Sequence, residues 1–209
     1  MTLQTEIMNQ LIDEQIVKFK EEGHFTFASG IHSPIYTDLR QTISYPKTRK
    51  DITKALAALV KEHYPDTTVI AGVATAGIPQ AALVADELDL PMVYVRSKPK
   101  DHGTKSQIEG VIREDDKVLL IDDLISTGGS VLKAAKAVQA ANYQVSGVLS
   151  IFSYGFPDAM QNFEDAGLTF EPVITYSDLL LRYQERAGMP ADKVASYQSW
   201  HEDPWNWEK

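Results

Sequence analysis

The side chains with the clearest capacity for chemistry lie in residues 118–134, VLLIDDLISTGGSVLKA. Four apolar residues come first, followed by the adjacent carboxylates Asp122 and Asp123, a polar loop at residues 126–130, and a helical pattern. That order predicts a buried strand, a loop and a helix. Because ligands of open α/β sheets bind at the carboxyl ends of the strands, we expect this loop to belong to a binding site.

The polar loop has the composition of an anion site. Gly128 and Gly129 allow a sharp turn that presents successive N–H groups, and the following helix adds the positive end of its dipole. The hydroxyls of Ser126, Thr127 and Ser130 are further donors. No lysine follows the glycines, so the loop differs from the nucleotide P-loop. We expect it to bind a phosphate monoester.

The acid pair needs a different ligand group, because carboxylates repel a phosphate. Asp122 and Asp123 suit ribose hydroxyls or the water shell of a Mg²⁺ ion. A phosphate at one end and a diol beside it describe a ribose 5-phosphate. The alternative is that both carboxylates are solvated residues at a strand end and that Ser130 only caps the helix.

Residues 118–130, VLLIDDLISTGGS, resemble the phosphoribosyl pyrophosphate (PRPP) signature of type I phosphoribosyltransferases. The resemblance implies that PRPP contacts the acid pair and the loop after it, namely Asp122, Asp123, Leu124, Ile125, Ser126, Thr127, Gly128, Gly129 and Ser130. It also implies Mg²⁺ as a cofactor, held mainly by PRPP and by waters near the acid pair rather than directly by side chains. The motif leaves the acceptor base open.

A second stretch, SGIHSPIYTD at residues 29–38, resembles the S-G-x-x-S-P-x-Y segment of the orotate phosphoribosyltransferase family. There it forms a hood over the pyrimidine, which implies that Tyr36 stacks near the base. Some family members read the carboxylate of orotate with an arginine that has no counterpart at residues 153–155. We therefore expect Arg40 and hood N–H groups to bind that carboxylate, with Ser126 also at the base. The alternative is an ordinary hairpin with a core tyrosine.

Residues 96–110, RSKPKDHGTKSQIEG, contain five basic side chains and no apolar period. In a chain of net charge −9 they form a local positive field, and a mobile basic loop suits a diphosphate leaving group. The alternative is a solvated surface loop. The R-x-x-x-K-x-H-G catalytic loop of the orotate family is matched in order by Arg96, Lys100, His102 and Gly103. The resemblance implies an obligate homodimer in which loop 96–110 acts across the interface.

A third loop, GVATAGIP at residues 72–79, consists of small residues that let the backbone approach a ligand closely. In the family the corresponding loop receives the pyrophosphate of PRPP. Thr75 and Ala76 stand where some orotate enzymes carry Tyr-Lys, so one cation is missing here.

The rest of the chain predicts the elements that hold these loops. An amphipathic helix begins near Leu3 with Gly23 as its stop, and a hairpin-like unit covers residues 25–40. Further helices are predicted at residues 46–64, 157–166 and 177–186 and from Pro190, and further strands at 68–73, 92–95, 145–152 and 168–175. The pattern predicts an α/β fold with a mainly parallel twisted sheet flanked by helices and a small N-terminal hood. We expect one domain over residues 1–209, with helix and hood to about residue 45 and the core and tail after it.

The composition, 44% hydrophobic and 23% charged over 209 residues, is that of an ordinary globular protein. The net charge of −9 argues against a general nucleic-acid surface. No apolar run has membrane-spanning length, and the absence of cysteine excludes thiolate metal sites and a cysteine nucleophile. We expect a cytoplasmic enzyme with neither a nucleic-acid nor a membrane partner.

Taken together, the resemblances imply a pentosyltransferase that converts PRPP and orotate to orotidine 5′-phosphate and pyrophosphate, in pyrimidine nucleotide (UMP) synthesis. Its catalytic residues are expected to be Lys100, Arg96, His102, Asp122 and Asp123. Two alternatives stay open: a phosphoribosyltransferase for a purine base, and a PRPP-sensing regulator that keeps the fold and binds nucleic acid. The role of the tail tryptophans also stays open, for Trp200, Trp205 and Trp207 alike.

Overall fold

The computed structural model describes residues 2–20, 22–26, 32–99 and 106–207. Its helices are α1 (Leu3–Asp13), α2 (Pro46–His63), α3 (Gly77–Leu88), α4 (Gly129–Ala140), α5 (Pro157–Asp165), α6 (Tyr176–Ala187) and α7 (Ala191–Glu202), with a 3₁₀ helix at Leu39–Ser44. Its strands are β1 (Val17–Phe19), β2 (Phe25–Thr26), β3 (His32–Ser33), β4 (Ile35–Thr37), β5 (Val69–Val73), β6 (Met92–Val95), β7 (Ile108–Glu109), β8 (Lys117–Ile125), β9 (Gln144–Ser153) and β10 (Phe170–Thr175).

Six strands form the central sheet, in the order β10-β9-β8-β5-β6-β7. Neighbouring strands are parallel except β7, which runs antiparallel to β6. The prediction of a mainly parallel sheet flanked by helices is confirmed. The chain continues from β5 to β6 on one side, whereas β8 lies on the other side of β5. A topological switch point therefore lies between the carboxyl ends of β5 and β8.

Strand β8 shows how the core is divided between the two faces of the sheet. Leu119 and Ile121 pack in the layer that contains α2 and α3, whereas Val118 and Leu120 pack in the layer of α4 and α5. All four side chains are fully buried. Alternate residues of a strand face opposite sides, so a continuous apolar run requires helices on both faces. Double burial of this kind is typical of an interior strand of a parallel sheet, and β8 lies between β9 and β5.

The N-terminal region differs from its prediction. Helix α1 ends at Asp13 rather than near Gly23, and strand β1 follows it. β1 pairs with β4 and β2 pairs with β3, both antiparallel, so the hood, defined here as β1 to β4, consists of two short strand pairs. A strand of three residues is too short to produce a readable period. Strand β1 is held in place because Val17 and Phe19 are buried. The Phe19 ring lies 4.4 Å from the ring of Tyr183 on α6.

The segment predicted as one continuous loop, residues 96–110, is anchored at both ends. β7 pairs with β6, with Val95 opposite Ile108, and the Arg96 N–H donates to the carbonyl of Gln107 at 2.8 Å. The prediction that nothing in this segment packs is therefore wrong for its last part. A two-residue edge strand leaves no periodic signal in the sequence.

The three tail tryptophans have different environments. Trp200 is fully buried, Trp207 is half-buried, and Trp205 is 56% exposed. Throughout the part of the chain that the structure describes, no helix combines the length and the apolar character needed to cross a bilayer.

Candidate active site

A cavity of about 330 Å³ opens at the switch point between β5 and β8. Its walls come from three segments: the end of the hood, the loop after β5, and β8 together with the start of α4. The lining residues are Thr37, Asp38, Leu39, Arg40, Ala74, Thr75, Ala76, Asp122, Asp123, Leu124 and Ser130. Its volume and its position are those of a small-molecule site in an α/β sheet.

The acid pair lies inside strand β8 rather than after it, which corrects the predicted strand end. Asp122 is 5% exposed, and its Oδ1 accepts the N–H of Asp123 at 3.0 Å. Asp123 Oδ1 accepts the N–H of Leu124 at 2.9 Å. The Ser130 hydroxyl donates to Asp122 Oδ2 at 3.4 Å, whereas the residue at the N-cap of α4 is Gly128. The alternatives of a solvated strand end and a capping serine do not hold.

Burial makes the charged forms of the acid pair unfavourable. It raises the pKa of Asp122 to about 7, with the charge of Asp123 as the second cause, while the Ser130 hydroxyl opposes the shift. Burial is also the first cause of the raised pKa of Asp123, and the nearby Arg40 cation opposes it. Two desolvated carboxylates that share one site are unfavourable in the free protein. Ligand hydroxyls or hydrated cations would relieve this cost.

The predicted anion loop forms the turn between β8 and α4. Gly128 has φ +79°, and a Cβ there would lie 2.8 Å from the Phe163 ring, so both conformation and space favour glycine. Because Gly128 has no side chain, it leaves the first-turn N–H groups of α4 uncapped by the N-cap residue. The Thr127 carbonyl accepts from Asn162 Nδ2 at 3.0 Å, which fixes the turn to α5.

Gly77 sets the distance between the loop after β5 and the acid pair. A Cβ at Gly77 would lie 2.3 Å from the Ile121 carbonyl oxygen and 3.0 Å from Asp122 Cα. The start of α3 therefore packs directly on the backbone of β8. The sequence pattern predicted close approach to a ligand at this loop, but at Gly77 the close partner is the neighbouring strand. The loop residues before it, which include the cis peptide Ala74–Thr75, line the cavity.

Arg40 faces the cavity from the segment that follows the hood. Its Nε donates to Asp38 Oδ1 at 2.7 Å, and this hydrogen bond is the main reason why the pKa of Arg40 is raised and that of Asp38 lowered. The Arg40 side chain is 69% exposed. Its remaining N–H groups are therefore accessible to an anionic ligand.

A second cleft of about 200 Å³ adjoins the cavity and shares Ala74 and Ser130 with it. Two cations from different elements line it, Arg96 after β6 and Lys133 on α4. Arg96 Nη1 lies 3.7 Å from Glu109 Oε1. The remaining lining residues are Val73, Val95, Ser97, Gln107 and Ala134. The cleft is suited to an anion that extends from the cavity.

The structure brings several predicted site residues together. Those in the cavity are Arg40, Asp122, Asp123, Leu124 and Ser130, and Arg96 lies in the adjoining cleft. Residues 126–128 form the turn before α4, which begins at Gly129. Ile125 is 1% exposed and packs in the layer of α4 and α5.

Other predicted residues lie elsewhere. Tyr36 is 39% exposed, with its ring 5.7 Å from that of Phe25, and its neighbour Thr37 lines the cavity. Lys100 and His102 lie outside the described residues.

Sequence reasoning missed Lys133 and Asp38. Lys133 follows Ser130 by three residues on a predicted helix, and that spacing places both on one face, so a signal was present. Nothing in the sequence pattern marks Asp38 as the acceptor that orients Arg40. Across residues 2–20, 22–26, 32–99 and 106–207, no group of three or more His, Asp or Glu side chains is placed to hold a metal ion.

An acid pair on a central parallel strand, a glycine turn at a helix N-terminus and a hood beside them define the phosphoribosyltransferase class. The family model described as a phosphoribosyl transferase domain matches residues 44–154. The orotate phosphoribosyltransferase of Lactobacillus johnsonii is 51% identical over 204 residues, which cover 98% of this chain and 96% of the relative. That of Levilactobacillus brevis is 54% identical over 202 residues, which cover 97% and 96%. The chain belongs to the orotate phosphoribosyltransferase family, as the sequence motifs predicted.

A solved structure supports the fold independently. The crystal structure of orotate phosphoribosyltransferase from Aeropyrum pernix has a TM-score of 0.73 at 28% identity, covering 87% of this chain and 98% of that chain.

Proposed function

We propose that the protein is an orotate phosphoribosyltransferase that transfers the 5-phosphoribosyl group of PRPP to orotate. The bond between the anomeric carbon and the diphosphate oxygen breaks, and a bond from that carbon to a ring nitrogen of orotate forms. Orotidine 5′-phosphate and diphosphate leave, and the proton of the ring nitrogen passes to diphosphate or solvent. The product is a pyrimidine nucleotide, so the reaction belongs to pyrimidine synthesis leading to UMP.

One observation carries the proposal: a single cavity joins the acid pair to Arg40 and adjoins both the glycine turn and a basic cleft. These four parts match the four parts of the two substrates, namely a diol, an anionic base, a phosphate monoester and a diphosphate. The two relatives described above carry the orotate activity in their names.

The ribose is the centre of the reaction. Asp122 and Asp123 accept hydrogen bonds from the ribose hydroxyls and stabilise the positive charge that develops on the sugar as its bond to diphosphate lengthens. The 5-phosphate is bound through N–H and hydroxyl groups of the turn at residues 126–128 and of Gly129 and Ser130, the first residues of α4. That contact is remote from the reacting carbon and orients it.

The departing diphosphate is stabilised by cations. Arg96 and Lys133 line the cleft into which it extends, and Lys133 takes the place of the cation that is missing at Ala76. Lys100 and His102 act from the loop that follows Arg96, and either can donate a proton to the leaving group. Charge that builds on this group in the transition state makes such contacts catalytic.

Mg²⁺ fits the donor set of the cavity, because carboxylate oxygens are the ligand type that hydrated Mg²⁺ prefers. Asp122 and Asp123 would hold it through its waters, with PRPP oxygens as the direct ligands. When bound, the ion neutralises diphosphate charge.

The base lies against the hood. Tyr36 and Ser126 contact the orotate ring, and the Arg40 guanidinium binds its carboxylate. The hydrogen bond of Arg40 to Asp38 supports this role, because it leaves the outer N–H groups of the fork free for a planar carboxylate.

We also propose that the chain works as one domain over residues 1–209 in a cytoplasmic homodimer, with loop 96–110 acting on the partner's site. The match of this loop to the family's catalytic loop supports the dimer, and the absence of cysteine supports the compartment.

The test is the absorbance of orotate when the purified protein is mixed with PRPP, with and without Mg²⁺. Mg²⁺-dependent loss of orotate is expected. If orotate persists while PRPP protects the protein against thermal unfolding, the acceptor is wrong, and a panel of purine bases and a gel-shift assay test the two alternatives.

A further inference from the structure

Two side chains of helix α7 donate hydrogen bonds to backbone carbonyls of the hood. The indole Nε1–H of Trp200 donates to the His32 carbonyl at 2.8 Å, and the Tyr197 hydroxyl donates to the Lys20 carbonyl. His32 begins β3, and Lys20 follows β1. Trp200 is fully buried and Tyr197 is 2% exposed, whereas the residues that accept these bonds are partly exposed at His32 and exposed at Lys20.

The same helix is joined to the core through an aromatic cluster. The Trp200 ring lies 5.8 Å from that of Tyr154 and 5.2 Å from that of Tyr176. His201 Nε2 lies 2.5 Å from the Tyr154 carbonyl, which can only accept, so this nitrogen carries the proton. The Tyr176 hydroxyl donates to the carbonyl of Tyr197 at 3.0 Å. The hood is thus attached to the core through α7.

Two series of contacts connect Trp200 to the wall of the cavity. One runs through His32 along β3 and β4 to Thr37, which lines the cavity. The other runs through Tyr154, whose hydroxyl donates to Thr37 Oγ1 at 3.4 Å. A tyrosine hydroxyl carries its proton at neutral pH, and burial raises the pKa of Tyr154 further, to about 12. Both series end at the hood side of the cavity, whereas the acid pair and the glycine turn lie on β8 and before α4.

We propose that Trp200 is a positioning residue for the acceptor base: its hydrogen bond to His32 fixes the position of the hood strands β3 and β4 relative to the cavity. This inference rests on the proposed orotate activity. Without the indole N–H, the His32 carbonyl loses this hydrogen bond, and the strands that carry Tyr36 and Thr37 shift towards a position where water replaces it. The base site changes, and the PRPP site does not.

The experiment is steady-state kinetics of Trp200→Phe with both substrates, because phenylalanine keeps an aromatic ring and removes the donor. We expect the KM for orotate to rise by about tenfold, the size of effect produced by the loss of one hydrogen bond at a part-buried carbonyl. The KM for PRPP should stay within about twofold, since PRPP contacts are remote from the change. The matched control is Trp207→Phe, which removes an Nε1–H bond to Ser196 Oγ at 3.3 Å, and it should leave both constants unchanged.

The outcomes separate the two proposals. A wild-type protein that does not consume orotate rejects the orotate activity. An active wild type together with an unchanged orotate KM in Trp200→Phe rejects the positioning role, and so does a parallel rise in both KM values, which would indicate a purely structural role. If Trp200→Phe does not fold, Tyr197→Phe, which removes the hydroxyl that donates to the Lys20 carbonyl of the hood, must show the same selective rise or the inference is wrong.

Discussion

At the scale of single residues, the burial of Asp122 has opposite effects on stability and on catalysis. The proposed mechanism uses its carboxylate at the ribose, yet desolvation makes its charge unfavourable in the free protein. A buried charge of this kind lowers the free energy of unfolding of the free protein, and a substrate that hydrogen-bonds to the charge offsets this loss.

The first prediction concerns Asp122→Asn in the absence of ligand. The unfolded residue titrates near 3.8 and the folded one near 7, so the folded state binds more protons between these values. The free energy of unfolding of the wild type therefore decreases as pH rises through this range. Near pH 8 the Asn variant should be more stable than the wild type by up to about 4 kcal/mol, and near pH 4 the difference should disappear. Urea unfolding at both pH values measures this.

The activity of the same variant is expected to fall strongly, because asparagine cannot offer a charge to the developing cation. A variant that is no more stable than the wild type near pH 8 would show that the buried charge is not the cause of the instability.

The second prediction is that Lys133→Ala weakens inhibition by inorganic diphosphate by about tenfold, because a cation of the cleft is lost. Lys136→Ala is the matched control, since this lysine lies further along α4, is also exposed, and lies outside the cleft. Product-inhibition kinetics measure both variants. Equal effects in the two would mean that only the overall charge matters.

At the scale of elements, the site depends on how closely α3 and β8 approach each other. Gly77 and Gly129 both begin helices that follow strands of the same sheet, but their surroundings differ. A Cβ at Gly77 would strike the Ile121 carbonyl, whereas one at Gly129 would meet only Thr127 Oγ1 at 3.8 Å.

The third prediction follows from that difference. Gly77→Ala should lower the free energy of unfolding by about 3 kcal/mol, because the backbone of β8 must move to admit a methyl group. Gly129→Ala should leave it unchanged or slightly raised, since glycine in a helix costs conformational entropy. Thermal unfolding of the two variants tests this, and a stable Gly77→Ala protein would contradict the close packing.

At the scale of the whole molecule, the proposed exchange of loop 96–110 between subunits makes each site depend on two chains. In each site the acid pair would then come from one subunit and the loop from the other. A substitution in the loop and a substitution in the acid pair would therefore affect the contributions of different subunits. Mixed dimers should contain one intact site.

The fourth prediction is that Lys100→Ala and Asp123→Asn are each nearly inactive alone and regain activity when unfolded together and refolded. Random pairing gives about half of the dimers as mixed ones, each with one complete site, so about a quarter of wild-type activity is expected. Each variant refolded alone is the control. Recovery no greater than the sum of the two controls would show that the loop acts within its own chain.

The sequence by itself determined the parts that depend on near neighbours along the chain. Apolar runs and loop order predicted the parallel sheet, and the run of acids, glycines and hydroxyls predicted an anion-binding turn, because strand, turn and helix propensities act over a few residues. The same reasoning missed β1 and β7, whose two or three residues carry no period and are held by their partners in space.

Tertiary structure alone decided the relations between distant residues. It placed Lys133 beside Arg96, packed Gly77 on β8, and joined Trp200 to His32 across 168 residues of sequence. It also placed the acid pair inside a buried strand and so raised the pKa values of both carboxyls. Solvent exclusion and contact distance are properties of the packed chain, and no local pattern of residues encodes them.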